Sequence, residues 1–466
     1  MQQPNVVMIV ADDMGYGDFG MFNQGPARTP TIDELAREGI CLTQHYSGSC
    51  VCAPARAALL TGRYPHRTGT IDTLEGLGLD RLGIEEVTIA DRLRGAGYRT
   101  GLIGKWHLGA LDERYHPNAR GFDEFVGFRG GWSDYYQWRL DRNGAIEEGD
   151  GSYLTDVLAA EASMFIRRNS EMPFFVHVAF NAPHTPLQAP EEFVQRYRES
   201  GMEGGVEYIY AMNECMDKGV GQILSTLDEV GCTDNTIVMF TSDNGPQMNV
   251  GYSYIDGRNI DTRRFNCGFN GAKGNVYEGG IRVPMILKWP GRLPVNTHSD
   301  AFVHYVDWVP TLLDFIGIEY QLDLPLDGTS LATVLSGKLQ QEQPVRFWQW
   351  NRYSPVMESN AAVRDGRWKL IRPRIDEYMQ VKAEHSQMDR DLRYSPELHT
   401  AAHIGDEPIR DIPKAAAIEL YDLRQDPSET TNLANAHPEK AEELMSKLAL
   451  WFDEVESERI RKVDFA

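Results

Sequence analysis

The sequence has few cysteines, no long hydrophobic run and fewer basic than acidic residues. Its six cysteines stand at positions 41, 50, 52, 215, 232 and 267 of 466, without the spacing of a zinc site or a disulfide framework. No apolar run reaches the length that a membrane-spanning helix needs. The formal net charge is −22, from 46 basic and 68 acidic residues, which argues against nucleic-acid binding. A chain of this length can bury a large core, and we expect two domains.

The N-terminus shows no targeting signal. Residues 1–5 contain no basic residue, and the apolar stretch Val6–Ala11 is short and followed by two aspartates, which does not fit a signal peptide. The compartment is left open: we expect a periplasmic or secreted protein if a leader was removed, and a cytoplasmic one otherwise. The absence of an Asn-x-Ser/Thr sequon favours a bacterial source over a eukaryotic secretory one.

The pattern of apolar residues changes near residue 344. Before it, short apolar runs alternate with amphipathic helices, which predicts an α/β fold with a large, mainly parallel sheet between helices. After it, short strands and a closing helix at Pro438–Ile460 predict a smaller α+β domain. We therefore predict a large domain at 1–343 and a C-terminal α+β domain at 344–466, joined by the polar segment 337–344. The predicted strands that matter most here are Val6–Val10, Tyr98–Ile103, Phe174–Phe180 and Thr236–Thr241.

Polar side chains follow each of these four strands. In chain order they are Asp12, Asp13, Lys105, His107, His184, Asp243 and Asn244. Any one of these groups alone is most simply a turn, because Asp and Asn are common turn residues. Open α/β sheets, however, bind ligands at the carboxyl ends of their strands. Four polar strand ends together therefore predict one functional site.

Four of these residues form a set of oxygen ligands, namely Asp12, Asp13, Asp243 and Asn244. Hard cations prefer such ligands, so we expect Ca²⁺, with Mg²⁺ as the alternative. Zinc would need imidazole or thiolate ligands, and no HxxxH or CxxC pattern occurs near these positions. Asp12 and Asp13 alone would equally suit a solvated acidic turn.

The undecapeptide Cys-Ala-Pro-Ala-Arg-Ala-Ala-Leu-Leu-Thr-Gly occupies residues 52–62. We predict that Cys52 opens a helix, because Pro54 suits the first helical position. The helix N-terminus would then direct N–H groups and partial positive charge toward residue 52, and Arg56 adds a planar donor. A lone cysteine is more often a small buried hydrophobic residue. A thiol phosphatase would carry an arginine where this chain has Ala58.

The pattern Cys-x-Pro-x-Arg followed by Leu-Thr-Gly resembles the signature of the type I sulfatases, and the resemblance covers nearly the whole chain. It implies an alkaline-phosphatase-like fold and hydrolysis of a sulfate ester. In that family a formylglycine-generating enzyme oxidises the cysteine to formylglycine, whose hydrate is the nucleophile. The resemblance thus implies that Cys52 is modified and that a maturing enzyme is a partner. The covalent sulfate ester would collapse by re-forming the carbonyl group.

The resemblance also assigns roles to the strand-end residues. The matches to catalytic positions are Cys52, Arg56, Lys105, His107, His184 and Lys273. The matches to metal ligands are Asp12, Asp13, Cys52, Asp243 and Asn244. It implies that Arg56 holds the hydrate, that His107 accepts a proton as sulfate is expelled, and that the general acid lies beside His184 and Lys273.

Two segments suggest a sugar substrate. Residues 131–136, Gly-Trp-Ser-Asp-Tyr-Tyr, resemble galactosamine-4-sulfatase-like members, and aromatic faces beside polar groups suit sugar rings. A packed aromatic loop is the equal alternative. The insertion Tyr252–Arg264 carries basic residues that could bind a uronate or a second sulfate. The candidate substrate-binding residues are Ser133, Asp134, Tyr135, Arg263 and Arg264. We expect an exo-acting sulfatase for a polysaccharide or glycosaminoglycan-type sugar.

Two other functions stay open at the level of sequence. One is hydrolysis of a phosphate or phosphonate ester by a member of the same superfamily, although the single metal set argues against a two-zinc phosphatase. The other is non-catalytic binding of sulfated glycans, if Cys52 stays a thiol. A binding protein would not need His107.

Overall fold

The computed structural model describes residues 3–248, 254–255, 258–319, 324–338, 343–403 and 407–463. Its strands are β1 (Asn5–Ala11), β2 (Ile40–Tyr46), β3 (Arg99–Lys105), β4 (Glu124–Phe128), β5 (Arg139–Arg142), β6 (Ala145–Glu148), β7 (Phe174–Ala179), β8 (Thr236–Ser242), β9 (Tyr254–Ile255), β10 (Arg258–Asn259), β11 (Met285–Lys288), β12 (Thr297–His304), β13 (Arg346–Gln349), β14 (Ala361–Asp365), β15 (Trp368–Arg372) and β16 (Glu419–Asp422). Its α-helices are α1 (Pro30–Arg37), α2 (Cys52–Thr61), α3 (Pro65–Thr68), α4 (Ile89–Gly95), α5 (Leu154–Asn169), α6 (Glu191–Glu199), α7 (Val206–Glu229), α8 (Glu278–Ile281), α9 (Trp308–Ile316), α10 (Ala332–Leu335), α11 (Ala383–Tyr394) and α12 (Pro438–Val463).

One large sheet has ten strands in the order β12-β2-β11-β8-β1-β7-β3-β4-β5-β6. Its centre, β8-β1-β7-β3, is parallel throughout, while β11, β5 and β6 run antiparallel to their neighbours. A separate antiparallel sheet has the order β13-β14-β15-β16. The predicted fold class, a mainly parallel α/β sheet with a smaller C-terminal α+β part, is confirmed.

Strand β1 shows why the central strands are continuously apolar. Val6, Met8 and Val10 pack into the core on one face of the sheet. Val7 and Ile9 alternate with them and pack into the core on the other face. A strand that is covered on both sides has no solvent-facing positions, so its sequence lacks the alternation of a half-exposed strand. Helices α2, α4 and α9 contribute to the first core, and α1, α5 and α7 to the second.

The C-terminal sheet and α12 pack directly against the large sheet's layer. Val363 and Leu448 belong to the same apolar cluster as Leu59 and Trp308. The division at 343/344 therefore stays a prediction, because the core is continuous and residues 339–342 lie outside the described part. All six cysteines are free thiols. Within the described residues, no helix is both long enough and apolar enough to cross a membrane.

Candidate active site

The four strands singled out in the sequence lie side by side at the centre of the large sheet. Their carboxyl ends meet at one edge, and backbone hydrogen bonds continue past the strands there. The amide of Asp243 donates to the carbonyl of Ala11 at 3.0 Å, and the amide of Asp12 donates to that of Ala182 at 3.0 Å. The residues that follow the strands are therefore held in fixed positions relative to one another.

A buried cluster of oxygen atoms lies at this edge. Asp12, Asp13, Asp243 and Asn244 are inaccessible to solvent or nearly so. Oδ1 of Asp12 and Oδ1 of Asn244 have no hydrogen-bond partner among the described residues, an arrangement that is costly unless a ligand satisfies them. One carboxylate oxygen each of Asp12 and Asp243 and Sγ of Cys52 lie within 4.8 Å of one another. These donors fit a hard divalent cation.

Burial and neighbouring cations act in opposite directions on two of these carboxylates. Burial raises the pKa of Asp12 to about 8, although Lys105 opposes the shift. Nζ of Lys105 lies 2.6 Å from Oδ2 of Asp12. Burial also acts on Asp243, but Arg56 and Lys105 outweigh it and hold the pKa of Asp243 below its usual range. The carboxylates of the cluster therefore need nearby positive charge to stay ionised. Lys105 and Arg56 supply enough of this charge for Asp243 but not for Asp12.

Helix α2 presents Cys52 to the cluster. The helix begins at Cys52 itself, after Val51 as N-cap. Pro54 therefore occupies the third helical position, whereas the sequence suggested the first. The third amide also lacks an acceptor inside the helix, so proline is tolerated there for the same reason. Cys52 is only 3% exposed, and burial raises the pKa of its thiol. The thiol is thus placed at the ligand edge without being activated as a thiolate.

Arg56 lies one turn further along α2 and binds Asp243 of the cluster. Its Nε and Nη2 donate to Oδ2 of Asp243 at 3.0 and 2.7 Å. Nη1 donates to the carbonyl of Lys105 at 3.3 Å. The guanidinium therefore connects the start of α2 to the ends of β8 and β3 and fixes their relative position.

His107 approaches the cluster from the end of β3. It and Asp13 both adopt the left-handed backbone region, with φ of 55° and 69°, a conformation that costs non-glycine residues about 1–3 kcal/mol. Burial, with Lys105 and Arg56 nearby, lowers the pKa of His107 well below its usual value. Its ring is therefore neutral at neutral pH.

A carboxylate that we did not predict lies beside this ring. Oε1 of Glu75 is 3.7 Å from Nε2 of His107 and accepts the amide of Gly131 at 2.6 Å. Arg393 of α11 also pairs with Glu75. Glu75 lies in a short loop helix, 32 positions before His107, and has no local sequence pattern that would identify it.

His184 and Lys273 form the more open side of the site. Nζ of Lys273 lies 2.7 Å from Oδ2 of Asp13, and Nε2 of His184 lies 3.7 Å from the same oxygen. Their side chains are 14% and 15% exposed. Nδ1 of His184 is 2.7 Å from the carbonyl of Thr185; since a carbonyl only accepts, Nδ1 carries the proton and Nε2 faces the site. Burial and Lys273 lower the pKa of His184 to about 3.

The predicted substrate-binding residues on the loop after β4 already have hydrogen-bond partners within the protein. Tyr135 is fully buried, and its hydroxyl lies 2.6 Å from the carbonyl of Asn181 and 2.9 Å from that of His184. Asp134 accepts two backbone amides of its own loop and the side-chain amide of Gln188. Ser133 is buried beside it. As placed, Tyr135 positions the His184 segment, and its contact with substrate stays a prediction.

The two neighbouring arginines of the insertion, Arg263 and Arg264, have different surroundings. Arg264 is 2% exposed and forms two hydrogen bonds of 2.6 Å to Asp18. Arg263 is exposed and pairs with Asp261 two residues earlier. Tyr252 lies outside the described residues. As placed, Arg264 ties the insertion to the loop after β1, so substrate roles for both arginines stay predictions.

Comparisons with known proteins identify the family of this chain. The sulfatase family model matches residues 4–318, and a model described as N-sulphoglucosamine sulphohydrolase, C-terminal, matches residues 269–395. Steryl-sulfatase of Rattus norvegicus is 32% identical over 461 residues, covering 79% of this chain and 76% of that protein. N-acetylgalactosamine-6-sulfatase of Sus scrofa is 33% identical over 379 residues, covering 75% of this chain and 69% of that protein.

The solved structures include a sulfatase-like fold over nearly the entire length. The structure described as "Crystal structure of Ps i-CgsB" has a TM-score of 0.80 at 28% identity, covering 97% of this chain and 93% of that one. The same protein has been solved in complex with k-i-k-neocarrahexaose. The sulfatase model spans Cys52 and all four strand ends. This chain therefore belongs to the sulfatase family, whose members hydrolyse sulfate esters and generally use formylglycine and Ca²⁺.

Proposed function

We propose that this protein removes sulfate from sulfated carbohydrates, with formylglycine formed from Cys52 and with Ca²⁺ bound by Asp12, Asp13, Asp243 and Asn244. One observation carries the proposal: the side chain at position 52 opens helix α2 within 4.8 Å of the carboxylate oxygens of two of these residues. A reacting group on residue 52 would therefore lie beside the cation and at the positive end of a helix.

The cation site is supported by the chemistry of its donors. Three carboxylates and one amide oxygen, two of these oxygens without a hydrogen-bond partner in the described part of the chain, match the ligands of Ca²⁺. When bound, a divalent cation neutralises negative charge on sulfate oxygens and acts as a Lewis acid. Mg²⁺ is the alternative, and its stricter octahedral geometry makes it the weaker candidate.

The side chains of the protein bind the anionic group from three directions. Lys105 and Lys273 each pair with a carboxylate of the cluster at 2.6 and 2.7 Å, which keeps both ammonium groups at the edge where we place the sulfate. Arg56, fixed by Asp243, adds a third positive charge beside residue 52. Such preorganised donors stabilise charge that develops in the transition state.

Proton transfer requires a base beside residue 52 and an acid on the leaving-group side. His107 is neutral because burial and cations disfavour its charged form, so it can accept a proton from the group on residue 52. On the more exposed side, the one ring proton of neutral His184 is held on Nδ1 by the carbonyl of Thr185. Protonated Lys273, whose pKa, despite burial, is raised by Asp13, is therefore the group there that can supply a proton to a leaving alkoxide, while Nε2 of His184 faces the site.

A sugar substrate is supported by the relatives and by the loop after β4. One relative is described as an N-acetylgalactosamine-6-sulfatase, and Ps i-CgsB has been solved with an oligosaccharide. The loop supplies Trp132 together with polar Ser133 and Asp134, a combination that suits a sugar ring. Removal of sulfate from a chain end stays a prediction.

The modification is tested by producing the protein with and without a co-expressed formylglycine-generating enzyme. We expect peptide mass spectrometry to find formylglycine at position 52 only with that enzyme, and sulfate release to follow the modified fraction. The Cys52→Ala variant is the control and should fold normally but release no sulfate. Active protein that carries only unmodified Cys52 would contradict the mechanism.

The substrate class is tested by comparing three kinds of compound. We expect turnover of 4-nitrophenyl sulfate and of at least one sulfated oligosaccharide, and much slower turnover of 4-nitrophenyl phosphate. Faster turnover of the phosphate would assign the protein to the phosphate-ester hydrolases. Glycan binding by the modified protein without any sulfate release would instead indicate a binding protein.

A further inference from the structure

A cavity of about 390 Å³ lies against the loop after β4, within the range of small-ligand sites, roughly 300–1,000 Å³. Its wall comes from three parts of the chain, at residues 110–113, 128–146 and 392–396. Trp132, Ser133 and Gln137 belong to the loop, whereas Arg393 and Tyr394 are at the end of α11 in the C-terminal part. The cavity thus lies where the C-terminal part meets the loop.

The cavity shares this loop with the catalytic edge. The amide of His107 donates to the carbonyl of Arg129 at 3.0 Å. Gly131 is so close to His107 that a Cβ atom would lie 2.5 Å from its Cε1. Three residues further on, Asp134 lines the cavity and accepts a hydrogen bond from Gln188 at 2.9 Å. A ligand in the cavity would therefore contact the same loop that packs against His107.

Two aromatic rings form a surface for a sugar ring. The centroids of Trp132 and Tyr394 are 5.7 Å apart with an interplanar angle of 65°, and the guanidinium of Arg393 lies 5.4 Å from the Trp132 centroid. Tyr394 is 66% exposed, so its ring is accessible to a ligand. Hydroxyl and amide groups of Ser133 and Gln137 lie in the same wall and can bind sugar hydroxyls.

The positive charges in the wall are matched by partners within the protein. Each arginine that lines the cavity forms an ion pair with a glutamate; the pairs are Arg129–Glu113, Arg139–Glu148 and Arg393–Glu75. A site for a second sulfate would present positive charge that the protein leaves unbalanced. The cavity therefore favours an uncharged ligand.

We propose that this cavity binds an unsulfated sugar unit next to the sulfated unit, so that the enzyme acts on oligosaccharides in preference to small sulfate esters. The inference rests on the proposed carbohydrate sulfatase function. It assigns to α11 a direct part in substrate choice, through Tyr394 and Arg393.

The test compares kcat/KM of the formylglycine-containing enzyme for two substrates. One is 4-nitrophenyl sulfate; the other is the hexasaccharide that the wild type desulfates fastest among chondroitin sulfate and carrageenan fragments. We expect Tyr394→Ala to lower the hexasaccharide-to-aryl-sulfate ratio roughly 3- to 10-fold, the range of one aromatic contact. Leu398→Ala, exposed on the next turn outside the cavity wall, is the matched control and should leave the ratio unchanged.

Salt distinguishes an uncharged from an anionic ligand. For the hexasaccharide, we compare kcat/KM of the wild type with kcat/KM of Tyr394→Ala. We expect the ratio of these two values to stay constant as salt rises from about 50 mM to about 0.5 M, because stacking is not screened. A ratio that falls steeply with salt would overturn the unsulfated assignment. An unchanged substrate ratio in Tyr394→Ala would overturn the cavity assignment alone. Failure of the wild type to release sulfate from any sugar would overturn the proposed function, and this inference with it.

Discussion

At the scale of residues, the carboxylate of Glu75 lies 3.7 Å from the buried, neutral imidazole of His107. Glu75 is itself held by the Gly131 amide and by Arg393. The Nε2 atom of His107 has no hydrogen-bond partner among the described residues, and Glu75 is the nearest carboxylate to it. A partner that orients a catalytic histidine affects turnover more than binding.

We expect Glu75→Gln to lower kcat by about 10- to 100-fold with little change in KM. The amide oxygen still accepts the Gly131 N–H, but the ion pair with Arg393 is lost, so we expect a modest fall in melting temperature beside the larger fall in kcat. Steady-state kinetics and calorimetry on the same sample measure both quantities. Glu113→Gln, an exposed carboxylate that pairs with Arg129, is the control. A fall in kcat that accompanies a matching fall in melting temperature would point to a structural role only.

Calcium should stabilise the protein more at about pH 8 than at about pH 5. The pKa of Asp12 rises from 3.8 to about 8 on burial, so the metal-free folded state binds this proton more tightly than the unfolded state. The resulting stability is present below about pH 4 and is lost as pH rises through about 8. Calcium replaces the proton and restores the stability where it has been lost.

Scanning calorimetry with calcium and with a chelator, at both pH values, measures this difference in melting temperature. Asp12→Asn removes the titrating group and should abolish the pH dependence of the calcium effect. An equal or larger calcium effect at the lower pH would contradict the expectation.

At the scale of elements, strand β3 depends on a glycine at a point of close approach. Gly104 has φ of 107°, and a Cβ atom there would lie 2.0 Å from the carbonyl oxygen of Ala179 on β7. Lys105 and His107 follow directly. The spacing between β3 and β7 is therefore set by the absence of a side chain.

We expect Gly104→Ala to lower the free energy of unfolding by about 2 kcal/mol or more and to abolish sulfate release, because the strand must shift at the site. Gly95→Ala, at the end of α4 with no atom within 4 Å of its Cβ position, should change the free energy by less than about 1 kcal/mol. Urea denaturation followed by circular dichroism compares the two. Equal effects of the two substitutions would contradict the close-approach argument.

The elements differ in how far the sequence predicts them. Strands β1, β3, β7 and β8 are buried on both faces, so their uninterrupted apolar runs, followed by polar residues, identify both the strands and the catalytic edge. Helix α11 has His385 as its only buried residue, so it lacks an apolar stripe, and its contribution to the cavity could not be predicted. The same holds for Glu75, whose importance depends on a contact between distant loops.

At the scale of the whole molecule, a buried ion-pair group joins the two sheets. Lys369 of β15 lies 2.9 Å from Glu278 of α8 and 2.8 Å from Glu429, and all three side chains are buried. Glu278 also accepts the hydroxyl of Tyr46 from β2 at 2.6 Å. The position of the C-terminal part, and with it that of α11, is thus fixed by charges that water does not screen.

We expect Lys369→Met to destabilise the protein by about 3–5 kcal/mol, because it removes the cation between two buried carboxylates and, among the described residues, leaves only Arg282 paired with Glu278. Lys447→Met, which removes a partly exposed lysine paired with Asp365 and Glu443, is the control and should cost less than about 1 kcal/mol. Denaturant unfolding measures both. Similar costs for the two lysines would show that the buried group does not hold the sheets together.

The burial of Cys52 also sets the order of events during synthesis. Its side chain is 3% exposed and lies beside Asp12 and Asp243 at the ends of the central strands. The thiol of the folded protein therefore cannot enter the active site of another enzyme. Under the proposed conversion, maturation and folding compete in time, and the faster process decides the fate of each molecule. A chain that folds before it is oxidised is well packed and permanently inactive. The active fraction of a preparation is therefore set by the rate of oxidation relative to the rate of folding, and not by the stability of the folded protein.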